Sequence, residues 1–248
     1  MESAKITDAQ HVLVVTGAGI SVESGIQPFR GKDGIWEENP MEMATFRKYM
    51  SEPASFLSWY YKRFISCLDA APNVTHDILA ANKIRVITQN IDGLHRKAGH
   101  DPELMIEIHG CLNEKRVVSA VAREEIVPAE WNSVNEKDFV PSLFHLFQIG
   151  EAGYIDEDRS YRPHVLLFDE YYTDLYQIEK AMDWVSEADT ILFMGTSNSV
   201  GITDGILRIA LQQKKKVMVV DPNPAVSFKL PGVELFAMSA SDFCRKFF

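Results

Sequence analysis

The residues of this sequence that could do chemistry sit at the ends of apolar runs. Thr16-Gly17-Ala18-Gly19 follows one run, Thr88-Gln89-Asn90-Ile91-Asp92 a second and His109-Gly110 a third. Phe168-Asp169-Glu170, Gly195-Thr196-Ser197 and Asp221 each close another. Glycines let a backbone approach a pyrophosphate closely, and the N–H groups they expose are ready donors. A carboxylate at a strand end, such as Asp221, can accept hydrogen bonds from a ribose, and an imidazole such as His109 can move a proton near neutral pH. Taken singly, each group also has a plain use as a tight turn, a cap or a filled core site. Together they weigh more, because ligands bind at the carboxyl ends of strands in open parallel sheets. Six such ends along one edge describe a pocket. An ordinary dehydrogenase does not fit it. Val22 stands where the third glycine of that fingerprint belongs, and Glu37 and Glu38, about 20 positions on, lie in a loop-like stretch.

The strands that must position these groups are six short runs rich in Val, Ile and Leu, at residues 11–16, 84–88, 104–108, 164–168, 190–194 and 216–220. Continuous apolar runs of this length mark strands buried on both faces, as in parallel sheets. Helical patterns lie between them. Residues 53–68 open with Pro53 and carry Phe56, Trp59, Tyr60 and Phe64 at helical spacing, and 175–188 and 206–213 are similar. The alternation predicts an α/β fold, a Rossmann-like parallel sheet with helices on both faces. Residues 1–248 read as one domain with two departures from its rhythm. Residues 31–72 read as a mobile loop over 31–50, with Gly31, Gly34 and Pro40, leading into a helical segment. Residues 110–162 form a polar, poorly periodic insertion with Pro128 and Pro141, expected to be a small module that is partly helical around 141–147.

Composition narrows the class. With 46% hydrophobic and 24% charged residues the chain reads as an ordinary soluble protein. A formal net charge of −10 leaves no basic field for phosphates, which argues against general nucleic-acid binding. No apolar run reaches the roughly 20 residues that span a bilayer, and the polar first ten residues lack a signal-peptide centre. Cys67, Cys111 and Cys244 are odd in number and far apart, as expected in a reducing compartment. The expectation is a cytoplasmic enzyme with neither a nucleic-acid nor a membrane partner.

Five blocks recur in an order that resembles the sirtuin family of NAD-dependent protein deacylases. They are Gly17-Ala18-Gly19-Ile20-Ser21-Val22-Glu23-Ser24-Gly25-Ile26 with Phe29-Arg30-Gly31, then Thr88-Gln89-Asn90-Ile91-Asp92-Gly93-Leu94-His95, His109-Gly110, Arg162-Pro163-His164-Val165 and Gly195-Thr196-Ser197. The resemblance runs from about Val12 to Asp221, outside the insertion. It implies that NAD is consumed and that the partner is an acyl-lysine protein or peptide. Gly17, Ala18, Gly19, Arg30 and the loop around Phe29 and Trp36 would grip the pyrophosphate and the nicotinamide ribose. Asp92 would bond the carboxamide, with Ile26 and Ile91 lining that pocket. Gln89 and Asn90 would hold the ribose and order water, Asn90 being counted with the catalytic groups, and Gly195, Thr196, Ser197 and Asp221 would complete the cofactor site. His109 would be the general base, taking a ribose hydroxyl proton after nicotinamide has left. Val165, Leu166, Phe168 and Glu170 would hold the substrate. His95 and His76 read as structural.

Within the family, Tyr60 and Arg63 resemble the class that removes succinyl and malonyl groups. Three apart on a helix, they share a face, and a phenol with a guanidinium suits a carboxylate. An aromatic core stripe with Arg63 at the surface is the plainer alternative. Other positions depart from the family. Most members carry two cysteine pairs on zinc in the region of 110–162, where only Cys111 stands here, so no metal is expected. The module would then be held by Trp131, Phe139, Leu143, Phe144 and Phe147. Asp169 replaces a glycine, Asp221 an asparagine, and Pro28 a Thr or Asp. Loss of the zinc cysteines and the altered peptide segment keep a second reading open, and a third comes from another class. The second is an NAD glycohydrolase or ADP-ribosyltransferase, and the third is a module that senses NAD or ADP-ribose without turnover.

Overall fold

The computed structural model describes Ile6 and residues 11–27, 40–198 and 201–248. In chain order the elements begin with strand β1 (Val12–Thr16), a 3-10 helix (Ala18–Ser24), and helices α1 (Pro40–Met43), α2 (Phe46–Ser51), α3 (Pro53–Phe64) and α4 (Val74–Ala81). Then come β2 (Arg85–Thr88), α5 (Leu94–Lys97), β3 (Met105–Glu107), β4 (Gly110–Val117), β5 (Ile126–Pro128), α6 (Phe139–Leu146) and β6 (Tyr161–Val165). The last part holds α7 (Ile178–Glu187), β7 (Thr190–Met194), α8 (Gly201–Gln212), β8 (Lys216–Val220), β9 (Val233–Phe236) and α9 (Ala240–Phe247).

Six strands form one parallel sheet in the order β3-β2-β1-β7-β8-β9. Side chains alternate across a strand, so each central strand feeds two cores. Leu13, Val15, Ile191, Phe193, Val217 and Val219 enter one, against Ala181, Trp184 and Val185 of α7 and Ile206 and Leu207 of α8. Val12, Val14, Leu192, Met194, Met218 and Val220 enter the other, against Leu79 of α4 and Phe243 and Cys244 of α9. This is the Rossmann-like α/β architecture expected, with helices on both faces.

One strand expectation needs correction, and one strand of the parallel sheet was not expected. The run 164–168 is not a parallel strand. Its first residues belong to β6, which pairs antiparallel with β4 in a three-stranded sheet of order β5-β4-β6. The run is apolar because Val165 and Leu167 pack into a third core with Tyr49, Phe56, Trp131, Leu143 and Phe147. Gly110 makes the switch between sheets possible. It sits at φ +81, and a Cβ there would lie 2.0 Å from the His164 carbonyl oxygen. The sixth parallel strand is β9, a partly exposed edge strand with no continuous apolar run to announce it. Inside 110–162 the structure places the eight-residue β4, whose pattern is masked by buried Lys115 and Arg116. Lys115 donates to the Leu146 carbonyl, and Arg116 to those of Val117 and Val118.

Candidate active site

Strand registers bring the carboxyl ends level. Thr16 lies opposite Thr88 and Met194, Thr88 opposite Glu107, and Met194 opposite Val220. The loops beginning at Gly17, Gln89, Ile108, Gly195 and Asp221 therefore leave one edge of the sheet. From β1 the chain turns to β2 on one side and later returns to β7 on the other, so the β1 and β7 loops meet at the point where strand order reverses. That is where open α/β sheets take their ligands.

Those two loops touch backbone to backbone. The Gly17 N–H donates to Met194 O at 3.0 Å and the Gly19 N–H to Gly195 O at 2.8 Å. A Cβ on Gly19 would stand 2.7 Å from Gly195 Cα, and one on Gly195, at φ +59, would stand 2.5 Å from Ile20 N. The glycines thus have a use beyond admitting a ligand: they let the loops interlock. Ala18 is half-buried and Gly19 exposed on the outer side.

The loop after β2 is tied to the same place. Asn90 Nδ2 donates to Gly17 O at 3.1 Å and to Ser21 Oγ at 3.2 Å, and Ser21 Oγ donates to Asp92 Oδ2 at 2.7 Å. Burial raises the Asp92 carboxyl above its usual range, while the Leu94 N–H and the Ser21 hydroxyl pull the other way. Gln89 is held at both ends of its amide, donating to Thr196 Oγ1 at 3.3 Å and accepting from Thr203 Oγ1 at 3.0 Å. Ile91 is buried at this loop and packs into the third core. Beneath it, buried His95 meets Thr16 Oγ1 through Nε2 at 3.1 Å, and His76 Nδ1 accepts from the Asn73 N–H.

His109 follows β3 and is half-buried. Its Nδ1 lies 2.9 Å from the Gln89 carbonyl oxygen and its Nε2 lies 2.8 Å from the Tyr172 hydroxyl. A carbonyl only accepts, so Nδ1 carries the proton and Nε2 the lone pair. Burial lowers the imidazole to about 4, with the Gln89 carbonyl acting in the opposite direction. The ring is neutral at ordinary pH and holds a basic nitrogen in fixed orientation, which equips it to accept a proton.

Other expected site residues lie as follows. Ser197 is exposed and Asp221 half-buried, with Asp221 Oδ1 accepting from the Asn223 N–H at 2.8 Å. The Leu166 N–H donates to His109 O at 3.0 Å, which joins the segment after β6 to the histidine, and Phe168 is 49% exposed. Val165 is buried in the third core. Glu170 makes a paired contact with buried Arg162, at 2.5 and 2.7 Å. Asp169 accepts from the Phe46 and Arg47 N–H groups at 2.6 and 3.1 Å, and so caps α2. On α3, Tyr60 is buried and Arg63 half-buried over the Trp59 ring. Phe29, Arg30 and Trp36 lie outside the described residues. Sequence reasoning missed Tyr172 and Thr203. Ser21 was visible inside a quoted block, but nothing in the spacing tied it to Asn90 or Asp92.

A doubly wound parallel sheet with interlocked glycine loops at its switch point, an Asn-Ser-Asp network and a neutral histidine defines a nucleotide-using α/β enzyme. The Sir2 family model matches residues 17–201, and the chain belongs to that family. The protein of Aggregatibacter actinomycetemcomitans named NAD-dependent protein deacylase is 32% identical over 222 residues, 87% of this chain and 95% of that one. NAD-dependent deacetylase sir2E of Dictyostelium discoideum is 33% identical over 232 residues, which take in 86% of this chain and 66% of that one. Among solved structures, a mutant Sir2 homologue in complex with ADP ribose superposes with a TM-score of 0.79 at 26% identity, covering 96% of this chain and 90% of that one. The chain is an enzyme of sirtuin type.

Proposed function

We propose that this enzyme is an NAD-dependent protein-lysine deacylase in which His109 is the general base. One observation carries the reading: a neutral imidazole, fixed through Nδ1 by the carbonyl of Gln89 in the loop after β2, keeps a basic Nε2 at the carboxyl edge of the sheet. The co-substrate is NAD, which when bound supplies the ADP-ribosyl group that accepts the acyl group as nicotinamide leaves. The residues present suit it. A Cβ at Gly19 or Gly195 would strike the facing loop, so glycine lets the β1 and β7 loops interlock at the edge where a dinucleotide would lie. Ala18, Gly19, Gly195, Thr196 and Ser197 face that task, with Asp221 toward a ribose. Asp92 is positioned by Ser21 and Leu94 to accept from a carboxamide. Asn90, anchored by its amide nitrogen, and Gln89 hold the sugar. His109 takes the ribose hydroxyl proton.

The segment Val165, Leu166, Phe168 and Glu170 would receive the peptide as an added strand. For the acyl group we favour an acidic chain. The Tyr60 hydroxyl is buried without a hydrogen-bond partner among the described residues, and a carboxylate would satisfy it. Arg63 shares the face of Tyr60 on α3.

Mass spectrometry of products from NAD and a panel of acyl-lysine peptides tests the whole reading. The expected products are O-acyl-ADP-ribose and free lysine, faster from succinyl than from acetyl peptides, and lost in His109→Tyr. Full succinyl activity in Arg63→Met would remove the acidic clamp. Free ADP-ribose formed without acyl substrate would move the reading to NAD hydrolysis, and protein-linked ADP-ribose to transfer. Binding of NAD without any product would leave a sensor.

A further inference from the structure

The lone pair of His109 Nε2, the atom a base must use, is already engaged. The Tyr172 hydroxyl lies 2.8 Å away, and the two rings are nearly parallel, at 28° and 5.9 Å between centroids. Since Nδ1–H is committed to Gln89 O, Nε2 is the acceptor and Tyr172 the donor. Tyr172 is not a loose surface ring. It packs against the core that contains Ile108, Phe193 and Ile206, whereas its neighbour Tyr171 is 87% exposed. Burial also raises its phenol well above the usual range, so it stays protonated and able to donate. A substrate hydroxyl approaching Nε2 therefore meets the Tyr172 oxygen first, and that oxygen still has lone pairs to accept with.

We propose that Tyr172 is a proton relay between the ribose hydroxyl and His109. This rests on the deacylase reading. The ribose O–H bond breaks and its proton bonds to Tyr172 Oη. Tyr172's own proton passes to His109 Nε2 in the same step. The ribose oxygen keeps the electron pair for its new bond to the acyl carbon, whose π bond to the lysine nitrogen breaks with the pair moving onto that nitrogen. Tyr172 ends neutral and His109 ends as imidazolium. The imidazolium later gives its proton up through the Tyr172 hydroxyl to the lysine nitrogen, whose bond to the acyl carbon then breaks. No charge is left on the phenol, whose high pKa would oppose one.

Two measurements test this. In the nucleotide-free protein, NMR titration of the His109 ring nitrogens should show Nδ1 protonated and Nε2 acting as acceptor. In Tyr172→Phe the imidazole should titrate at higher pH, because the neutral form has lost a donor to its lone pair. A wild-type Nε2 shift characteristic of a free lone pair overturns the proposal whether or not the variant folds. In the second measurement Tyr172→Phe should slow acyl transfer on the order of 10²-fold. Exchange of labelled nicotinamide into NAD, which reports the step before the ribose loses a proton, should stay within about twofold. An unchanged or faster transfer rate would mean that the hydroxyl merely covers the base, and the relay fails. His109→Ala separates the two readings: if it keeps wild-type transfer the base assignment itself is wrong, and if it loses transfer while Tyr172→Phe does not, only the relay is.

Discussion

The Ser21 hydroxyl donates to Asp92 Oδ2 over 2.7 Å, joining the loop after the first strand to the loop after the second. Both side chains are buried, and Ser21 also receives Asn90 Nδ2. Ser21→Ala takes a hydroxyl from a buried carboxylate that desolvation already disfavours. The expected cost is about 1–3 kcal/mol in urea unfolding, together with weaker NAD binding in calorimetry. Wild-type values in both would show that the network carries no load.

Gly195→Ala should damage the same edge from the other side. A non-glycine residue at φ +59 is strained by about 1–3 kcal/mol, and its Cβ would press on Ile20 N at 2.5 Å, backbone that cannot step aside. A lower melting temperature and reduced NAD affinity are expected. Unaltered affinity would mean that the loops can part without cost to the site.

Acid should unfold the protein through its buried histidines. Burial lowers His76 to about 4 and His164 to about 3, the latter with help from nearby arginines. Above the ordinary imidazole value of about 6.5 neither state is protonated and the shift contributes nothing. Below it the unfolded chain binds protons that the folded chain refuses, so stability falls as pH drops toward the folded values. Each histidine adds up to about 1.4 kcal/mol per pH unit. Urea unfolding between pH 7.5 and 5 should show the decline, and His76→Gln should make it shallower. A flat profile would contradict the burial of these rings.

The small module should hold without metal. Cys111 is buried, and among the described residues no group of three or more His, Cys, Asp or Glu side chains could hold an ion. Trp131 packs on Tyr60 and Phe147, and its indole N–H donates to Leu112 O at 2.7 Å. Trp131→Ala should cost about 3–5 kcal/mol, whereas a chelator should leave the melting temperature unchanged. One tightly held zinc per chain in elemental analysis would reverse this picture.

Much of the scaffold was legible because a strand buried on both faces is apolar along nearly all its length, as β1, β7 and β8 are apart from one polar end residue each. What an apolar run does not say is which core it fills, so 164–168 was drawn into the wrong sheet. Partly exposed β9 and β4 with its buried cations carry no such run and stayed hidden. The strand-end residues of the site could be read because chemistry constrains their types. Tyr172 could not, since its place beside His109 depends on the course of the chain after β6, and a tyrosine next to another tyrosine looks like surface.

The parallel sheet finishes in a short strand on each flank, three residues in β3 and four in β9. Beyond β9 no further strand pairs with it among the described residues, which leaves a row of amide and carbonyl groups able to template an incoming extended chain. Brevity limits how many of them such a chain could engage. Glu234 and Lys216, paired at 3.9 Å, put charge on this flank, and a net charge of −10 repels a second copy of this acidic molecule. The flank is thus guarded against fibre-like self-association, and replacing Glu234 with an apolar residue would remove part of that guard.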